Sequence, residues 1–224
     1  MRKITFPQIF VFLVLLALII GLAVVTVMGT VGGIPMGDFR GVVLTFAILI
    51  MVFIYGALTY RILMAVMPFG EGDIPPDSLR EFVYHLHLLF FLMLFYPIMR
   101  SGFVPMPLMR MVYLLLGARL GSNTYSAGIL LDPGFIQIGA NSIVGQSALL
   151  VPHVIEGDKL AHYPILIGND VTIGAHAIIM ADVKIADHAI VAMNSVVTKG
   201  TRIRDGEIWG GVPAKLLRKS QTKL

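Results

Sequence analysis

From Phe10 to Met28 the chain is an almost unbroken run of Val, Leu, Ile, Phe and Ala, and no charge stands between Lys3 and Asp38. An α-helix rises 1.5 Å per residue, so about 20 apolar residues cross the roughly 30 Å hydrocarbon core of a bilayer. Gly41 to Tyr60, flanked by Arg40 and Arg61, meets the same test. The pattern predicts two transmembrane helices. A third apolar stretch, Phe82 to Met99, carries His85, His87 and Pro97, and is predicted to lie at the interface or to re-enter. It follows a loop ending at Ser78, with Glu81 spaced as in a capping box. His85 and His87, two apart on a helix and hence on different faces, read as ordinary interfacial residues. A fourth stretch, Leu108 to Leu116 between Arg110 and Arg119, is too short to span and fits an interfacial helix.

After Leu120 the period changes to six. Read from Ile138 the blocks are IGANSI, VGQSAL and LVPHVI; from Ile167 they are IGNDVT, IGAHAI, IMADVK, IADHAI, VAMNSV, VTKGTR and IRDGEI. The first place is Ile, Val or Leu in all ten blocks, and the fifth is Ser, Ala, Val or Thr in nine. If a first place were aliphatic by chance one time in three, that outcome would be on the order of one in 10⁵. Such a period predicts a parallel β-helix in which three hexapeptides make a triangular coil, first-place residues stack inside, and Gly, Asn and Asp turn the corners. The helix near residues 108–119 is expected to cover the first coil and Glu207 to Lys215 to close the last, because a stacked repeat needs capped ends. The predicted organisation is therefore a membrane region over 1–119, a left-handed β-helix over 120–217 and a basic tail over 218–224.

Composition agrees with a chain partly in lipid: of 224 residues 57% are hydrophobic and only 13% charged, against roughly 25% charged in soluble domains. Zero cysteines exclude disulfides, a thiol nucleophile and cysteine-held zinc, and a net charge of +4 does not point to nucleic acid as a partner. The frame breaks between Leu150 and Ile167, where a loop extruded from the wall carries His153 and His162. Loops on a rigid scaffold are common carriers of function.

The blocks IGNDVTIGAHAII and NSVVTKG, followed by IWGGVPAKLL, resemble the left-handed β-helix of hexapeptide-repeat acyltransferases, with the galactoside and maltose O-acetyltransferases as the nearest comparison. The helices joined to this domain resemble the layout of membrane-attached acyltransferases of bacterial polysaccharide modification. The resemblance implies a homotrimer with sites between neighbouring prisms, and acetyl-CoA as the donor. It implies a histidine general base where a coil ends, here His153, with Pro152 in place of the family's Gly. His162, inside the loop and pointing toward a neighbouring subunit, is the rival. Asp132 matches an acidic residue that binds the acceptor or orients the histidine. Ala175, Met193, Thr198, Lys199, Lys215 and Arg218 match positions that line the CoA groove, Met193 standing where the family has a small residue. No metal is implied.

The chemistry fits those residue types. Attack of a hydroxyl on a thioester needs a base of near-neutral pKa within about 3 Å of the proton, and imidazole meets this. Without cysteine, direct transfer in a ternary complex is expected. Arg2 and Lys3 place the start of the first helix on the cytosolic side, and two spans return the β-helix to the side that holds acetyl-CoA. A catalyst held at the inner membrane of a bacterium suits a lipid-linked sugar or surface glycan, since confining both partners to one surface raises their effective concentration. Two other readings stand: a noncatalytic trimeric scaffold at the membrane, and a metal hydratase like the γ-carbonic anhydrases. The second uses three histidines, two of them spaced H-x4-H, and that spacing is absent here.

Overall fold

The computed structural model describes residues 2–219. The chain divides into two compact units, residues 2–69 with 77–97, and residues 70–76 with 98 onward.

The helical unit contains α1 (Phe6–Thr30) and α2 (Arg40–Val66). The third apolar run, Leu79–Ser101, comprises α3 (Leu79–Phe90), a π-helical turn over Phe91–Phe95 and α4 (Tyr96–Ser101). The wide turn sits directly before Pro97, whose ring would collide with the carbonyl four residues back in a regular helix. By length and composition three runs, Phe6–Thr30, Gly37–Val66 and Leu79–Ser101, are long and apolar enough to cross a membrane, one more than the sequence pattern predicts. They are not equivalent. Protein covers 17% and 11% of the first two but 50% of the third, so the first two leave leucines, valines and phenylalanines exposed among the described residues.

Polar groups are drawn inside this unit. His85 and His87 are both buried by protein, and His87 Nδ1 lies 2.8 Å from the Tyr60 hydroxyl. Ser78 caps α3 by accepting from Glu81 N at 3.2 Å, but the Glu81 carboxylate accepts from Asp77 N at 2.6 Å and pairs with Arg2 at 3.1 Å. The capping box is therefore half formed, its return bond moved one residue back.

In the second unit the hexapeptide frame becomes three parallel walls. Face one joins Arg119–Leu120, Ile136–Ile138, Ile165–Ile167, Lys184–Ile185 and Arg202–Ile203; face two runs from Tyr125–Ser126 to Glu207–Gly211; face three from Ile129–Leu130 to Val196–Val197. Every first-place residue from Ile138 to Ile203 is buried, and Ile138 pairs directly with Ile167 across the inserted loop. The fourth place is the corner: Asn141, Ser147, Asp170, His176, Asp182, His188, Asn194, Gly200 and Gly206 all have φ between 52° and 77°. Short polar side chains and glycine tolerate that left-handed backbone. His176 and His188 are thus exposed corner residues, His188 bonded to Asp205 at 2.9 Å.

Second-place glycines have a different cause. A Cβ on Gly145 would lie 2.6 Å from the backbone nitrogen of Ala175 in the next coil, so glycine there is required by close coil approach and not by φ. Gly145→Ala is expected to lower the melting temperature, at a cost of about 1–3 kcal/mol from overpacking. Thermal denaturation followed by circular dichroism checks this; an unchanged midpoint would mean that the coils can move apart freely.

Both ends are covered. α5 (Met106–Leu115) packs on the first strands of faces one and two, with Tyr113 buried and its hydroxyl donating to Gly128 O at 2.8 Å. Burial pushes that phenol up to about 12. At the other end Glu207–Gly211 turns back antiparallel onto Ala214–Lys219. The one fifth place outside the small-residue rule, Glu207, is buried here, its carboxylate accepting from Arg204 N at 3.0 Å and Trp209 Nε1 at 2.9 Å. The structure thus draws its units differently from the predicted boundary at residue 120: α5 belongs with the coils it covers, and residues 70–76 belong there because Gly72–Asp73 is a strand of the β-helix unit. Of the predicted basic tail, Arg218 and Lys219 lie in the last strand, and residues 220–224 fall outside the described residues.

Candidate active site

The inserted segment is an antiparallel hairpin, His153–Glu156 with Lys159–His162, turned at Gly157. Gly72–Asp73 adds a third strand beside Lys159–His162. The hairpin starts at the single fourth-place residue among the ten blocks that does not take the left-handed corner, His153. Instead of turning into face one, the chain there stays extended and leaves the wall.

The register of the hairpin sets His153 directly opposite His162. One coil earlier, at the same edge between faces three and one, Asp132 holds φ 44° and opens the turn Pro133–Phe135. These placements bring three groups together. His153 Nδ1 donates to Asp132 Oδ2 at 2.6 Å, and His162 Nε2 lies 3.6 Å from the same oxygen. The Asp132 side chain is 5% exposed and that of His153 28%. A carboxylate bond at Nδ1 fixes the tautomer, so the acceptor nitrogen of neutral His153 is Nε2. Burial pulls the His153 pKa down, but the hydrogen bond and charge of Asp132 outweigh it and hold the imidazole above its ordinary value. An oriented imidazole with a free basic nitrogen, partly open to solvent, is equipped to take a proton from a hydroxyl or amine.

His162 does not sit as the sequence reading pictures it. It occupies the central strand of the three-stranded sheet, its side chain has 0% exposure, and its ring packs on Phe135 at 5.0 Å. Its Nε2 stands 3.6 Å from the Asp132 oxygen that His153 binds, beyond hydrogen-bond length.

The three donor atoms lie within 4.8 Å of one another, close enough to be tested as a metal site. Two ligands of a tetrahedral zinc at about 2.0–2.1 Å each stand about 3.3 Å apart. The 2.6 Å between His153 Nδ1 and Asp132 Oδ2 is shorter than that and is a charge-assisted hydrogen-bond length. In this arrangement the two are hydrogen-bonded to each other and do not form a ligand pair.

The residues matched to a CoA groove are dispersed over one prism. Ala175 and Met193 stack on the edge between faces two and three, where Asn194 N donates to Ala175 O, and Met193 is 69% exposed. Thr198 and Lys199 lie on the edge between faces three and one, below the hairpin, with Lys199 Nζ 2.8 Å from Glu156 Oε1. Lys215 and Arg218 are exposed on the closing strand, paired with Gly210 and Ile208. No single groove of one chain joins all six.

Three features have weaker signatures in the sequence. The strand Gly72–Asp73 has none, being a two-residue addition from a loop far away in the chain. Phe135 and Tyr163 flank Asp132 and His162 and could have been suspected from adjacency. Lys184 and Arg202 are sixth-place residues of their blocks, and Arg119 precedes the first coil at the equivalent place; with Gln137 and Leu166 they form one outward ladder on face one.

Comparison with known proteins finds the same repeat. A family model, the bacterial transferase hexapeptide of six repeats, matches residues 164–199. The chain is 38% identical over 82 residues to γ-carbonic anhydrase 2 of Arabidopsis thaliana mitochondria, covering 37% of this chain and 25% of that one. It is 30% identical over 118 residues to galactoside O-acetyltransferase of Escherichia coli, covering 48% of this chain and 57% of that one. A solved hexapeptide-repeat acetyltransferase of Vibrio cholerae in complex with acetyl coenzyme A is 29% identical, with a TM-score of 0.44, over 47% of this chain and 62% of that one. The chain spans between a quarter and just over half the length of these curated relatives. Over its β-helix half, the protein carries the hexapeptide repeats of the bacterial transferases and resembles their O-acetyltransferases.

Proposed function

We propose that this protein is a membrane-attached acyltransferase that moves an acetyl group from acetyl-CoA to a hydroxyl, or an amine, of a lipid-linked sugar or surface glycan. The observation that carries the reading is the 2.6 Å bond from His153 Nδ1 to Asp132 Oδ2 at the root of the hairpin. His153 Nε2 takes the acceptor proton as the acceptor oxygen attacks the thioester carbonyl. The tetrahedral intermediate then expels the CoA thiolate, which leaves as the thiol with that proton. A relative that acetylates galactosides and a solved relative holding acetyl coenzyme A support donor and acceptor class alike.

The proposed assembly is a homotrimer. On face two an outward ladder of Tyr125, Ile143, Thr172, Ile190 and Ile208 is largely apolar and partly uncovered, and it suits the same wall region of further copies. Ala175 and Met193 of one copy would then meet Thr198 and Lys199 of the next around one CoA. The Lys199–Glu156 pair is exposed and gives way at little cost. In the proposed topology Phe6–Thr30 and Gly37–Val66 cross the inner membrane from a cytosolic Arg2 and Lys3, while the half-covered run Leu79–Ser101 does not cross. The catalytic unit then faces the cytosolic pool of acetyl-CoA.

The test is direct because the chain has no cysteine: any thiol released belongs to CoA. Purified protein in lipid nanodiscs, supplied with acetyl-CoA and a membrane glycolipid extract, is expected to release CoA and to label the extract with radioactive acetyl. Absence of both transfer and CoA binding would favour the scaffold reading. The metal hydratase reading rests on the three clustered donors and the carbonic anhydrase relative. Elemental analysis is expected to find no stoichiometric zinc, and EDTA to leave CoA release unchanged. One zinc per chain, or loss of activity with chelator, would reverse the choice.

A further inference from the structure

α5 has two apolar faces that differ in what covers them. Met109, Tyr113 and Leu116, at a spacing of four and then three residues, are buried against the first coil. The opposite face and the turn leading into it carry Phe103, Met106, Leu108, Met111, Leu114 and Leu115, all exposed among the described residues, Phe103 to 91%. The single charge of the helix, Arg110, is turned away from that face: its guanidinium donates to Thr124 O at 2.8 Å and to Leu120 O at 3.3 Å in the first coil. A helix that caps a coil stack in water keeps its outer face polar, and one that is apolar all round lies against something apolar.

Three observations point to a bilayer as that partner. The chain enters Phe103 directly from Leu79–Ser101, one of three runs long and apolar enough for a membrane. No acidic residue stands between Glu81 and Asp132, whereas Arg100, Arg110 and Arg119 do, the sign of charge that anionic headgroups attract. Phenylalanine, leucine and methionine flanked only by bases is the composition of a helix lying in the interface plane. A second copy suits the face less well. The proposed trimer joins its prisms side by side, and cyclic symmetry leaves the α5 ends of all copies on one side, open to a plane.

From this we infer that the outer face of α5, with Phe103, is a bilayer-docking surface that stands the β-helix on end with its first coil toward the headgroups. The inference deepens the acyltransferase reading, on which it rests for the membrane and the trimer, by giving the site a height. Asp132 follows the first strand of face three and His153 the second. A helix about 10 Å across and one coil step of about 4.8 Å set the pair about 15 Å from the outer face of α5. Thr198 and Lys199 follow the fourth strand of that face, about 10 Å farther out. An acceptor anchored in the leaflet then reaches His153 from the membrane end, while acetyl-CoA arrives from the water beyond.

The chain has no cysteine, so single labels test this on the full protein. Leu108→Cys, Met111→Cys and Val212→Cys, the last on the exposed closing turn at the far end, each carry a nitroxide in nanodiscs of phosphatidylcholine and phosphatidylglycerol. Melting temperatures confirm folding. The two α5 labels are expected to be at least threefold more accessible to oxygen, which concentrates in lipid, than to an aqueous nickel chelate, and the Val212→Cys label to show the reverse order. Nickel access at α5 equal to that at Val212→Cys would leave the face in water, and shielding from both reagents would mean that protein covers it; either result overturns the docking surface. For the height, energy transfer to a headgroup-labelled lipid is expected to be at least twofold greater from a fluorophore on Gln146→Cys, exposed on the second coil, than from one on Val212→Cys. Equal transfer would lay the prism on its side and overturn the orientation. CoA release read on the same samples separates the two readings. Labels in lipid without CoA release fail the acyltransferase alone, and labels in water with CoA release intact fail the docking alone.

Discussion

His153→Ala is expected to lower the rate of acetyl transfer by about 10²–10⁴-fold, the range that a positioned general base contributes. The loss belongs in kcat, because His153 acts on a proton that moves only in the transition state, and the KM for acetyl-CoA is expected to change little. The fold should tolerate the change. His153 leads a hairpin outside the stacked coils, and its side chain is 28% exposed, so no interior layer is emptied. One consequence separates a chemical role from a structural one: removing His153 takes the 2.6 Å donor from the buried Asp132 carboxylate, while the affinity for acetyl-CoA, which does not use the His153 proton, is expected to be unchanged. Thiol release and CoA affinity measured on the same preparation check both halves. A variant that retains wild-type turnover would remove His153 from the mechanism, and one that loses CoA affinity with turnover would mark it as scaffolding.

The β-helix was legible because its constraint recurs. Each first-place aliphatic from Ile138 to Ile203 obeys the same steric rule, and ten repetitions turn a weak preference into a strong pattern. The corners were legible as a role for Gly, Asn and Asp, but the exception at His153 was not, because LVPHVI fits the repeat as well as the other blocks do. Asp132 and His153 could be nominated from the sequence, but the bond between them could not, since it depends on the stacking of one coil on another across 21 residues. The inward turn of His162 was not legible either. It follows from a third strand, Gly72–Asp73, supplied by a loop between two apolar helices and marked by no periodicity. In the helical half, hydropathy identified apolar runs but not the difference between them. That difference lies in coverage by neighbours, and in the burial of His85, His87 and Glu81 within one unit.

Asp132→Asn separates orientation from basicity, and its effect has a worked sign. In the wild type, the Asp132 hydrogen bond and charge raise the His153 pKa against the lowering effect of burial. Protonated His153 cannot accept a proton, so activity falls as pH drops through that raised value. Asparagine removes the charge and leaves burial, so the acid limb of the pH–rate profile is expected to move to lower pH. The plateau is expected to fall as well, by about 10²-fold, because an amide no longer enforces the Nδ1–H tautomer that leaves Nε2 free. The stability linkage runs in the matching direction. A group whose folded pKa is raised adds stability that is fully present below its unfolded value and is lost as pH rises through the folded one. The pH dependence of melting across that window should therefore flatten in the variant. A rate profile that drops without shifting would assign Asp132 to acceptor binding alone. A profile that shifts upward would mean that Asp132 is not the group that raises the His153 pKa, and the paired-imidazole mechanism would fail with it.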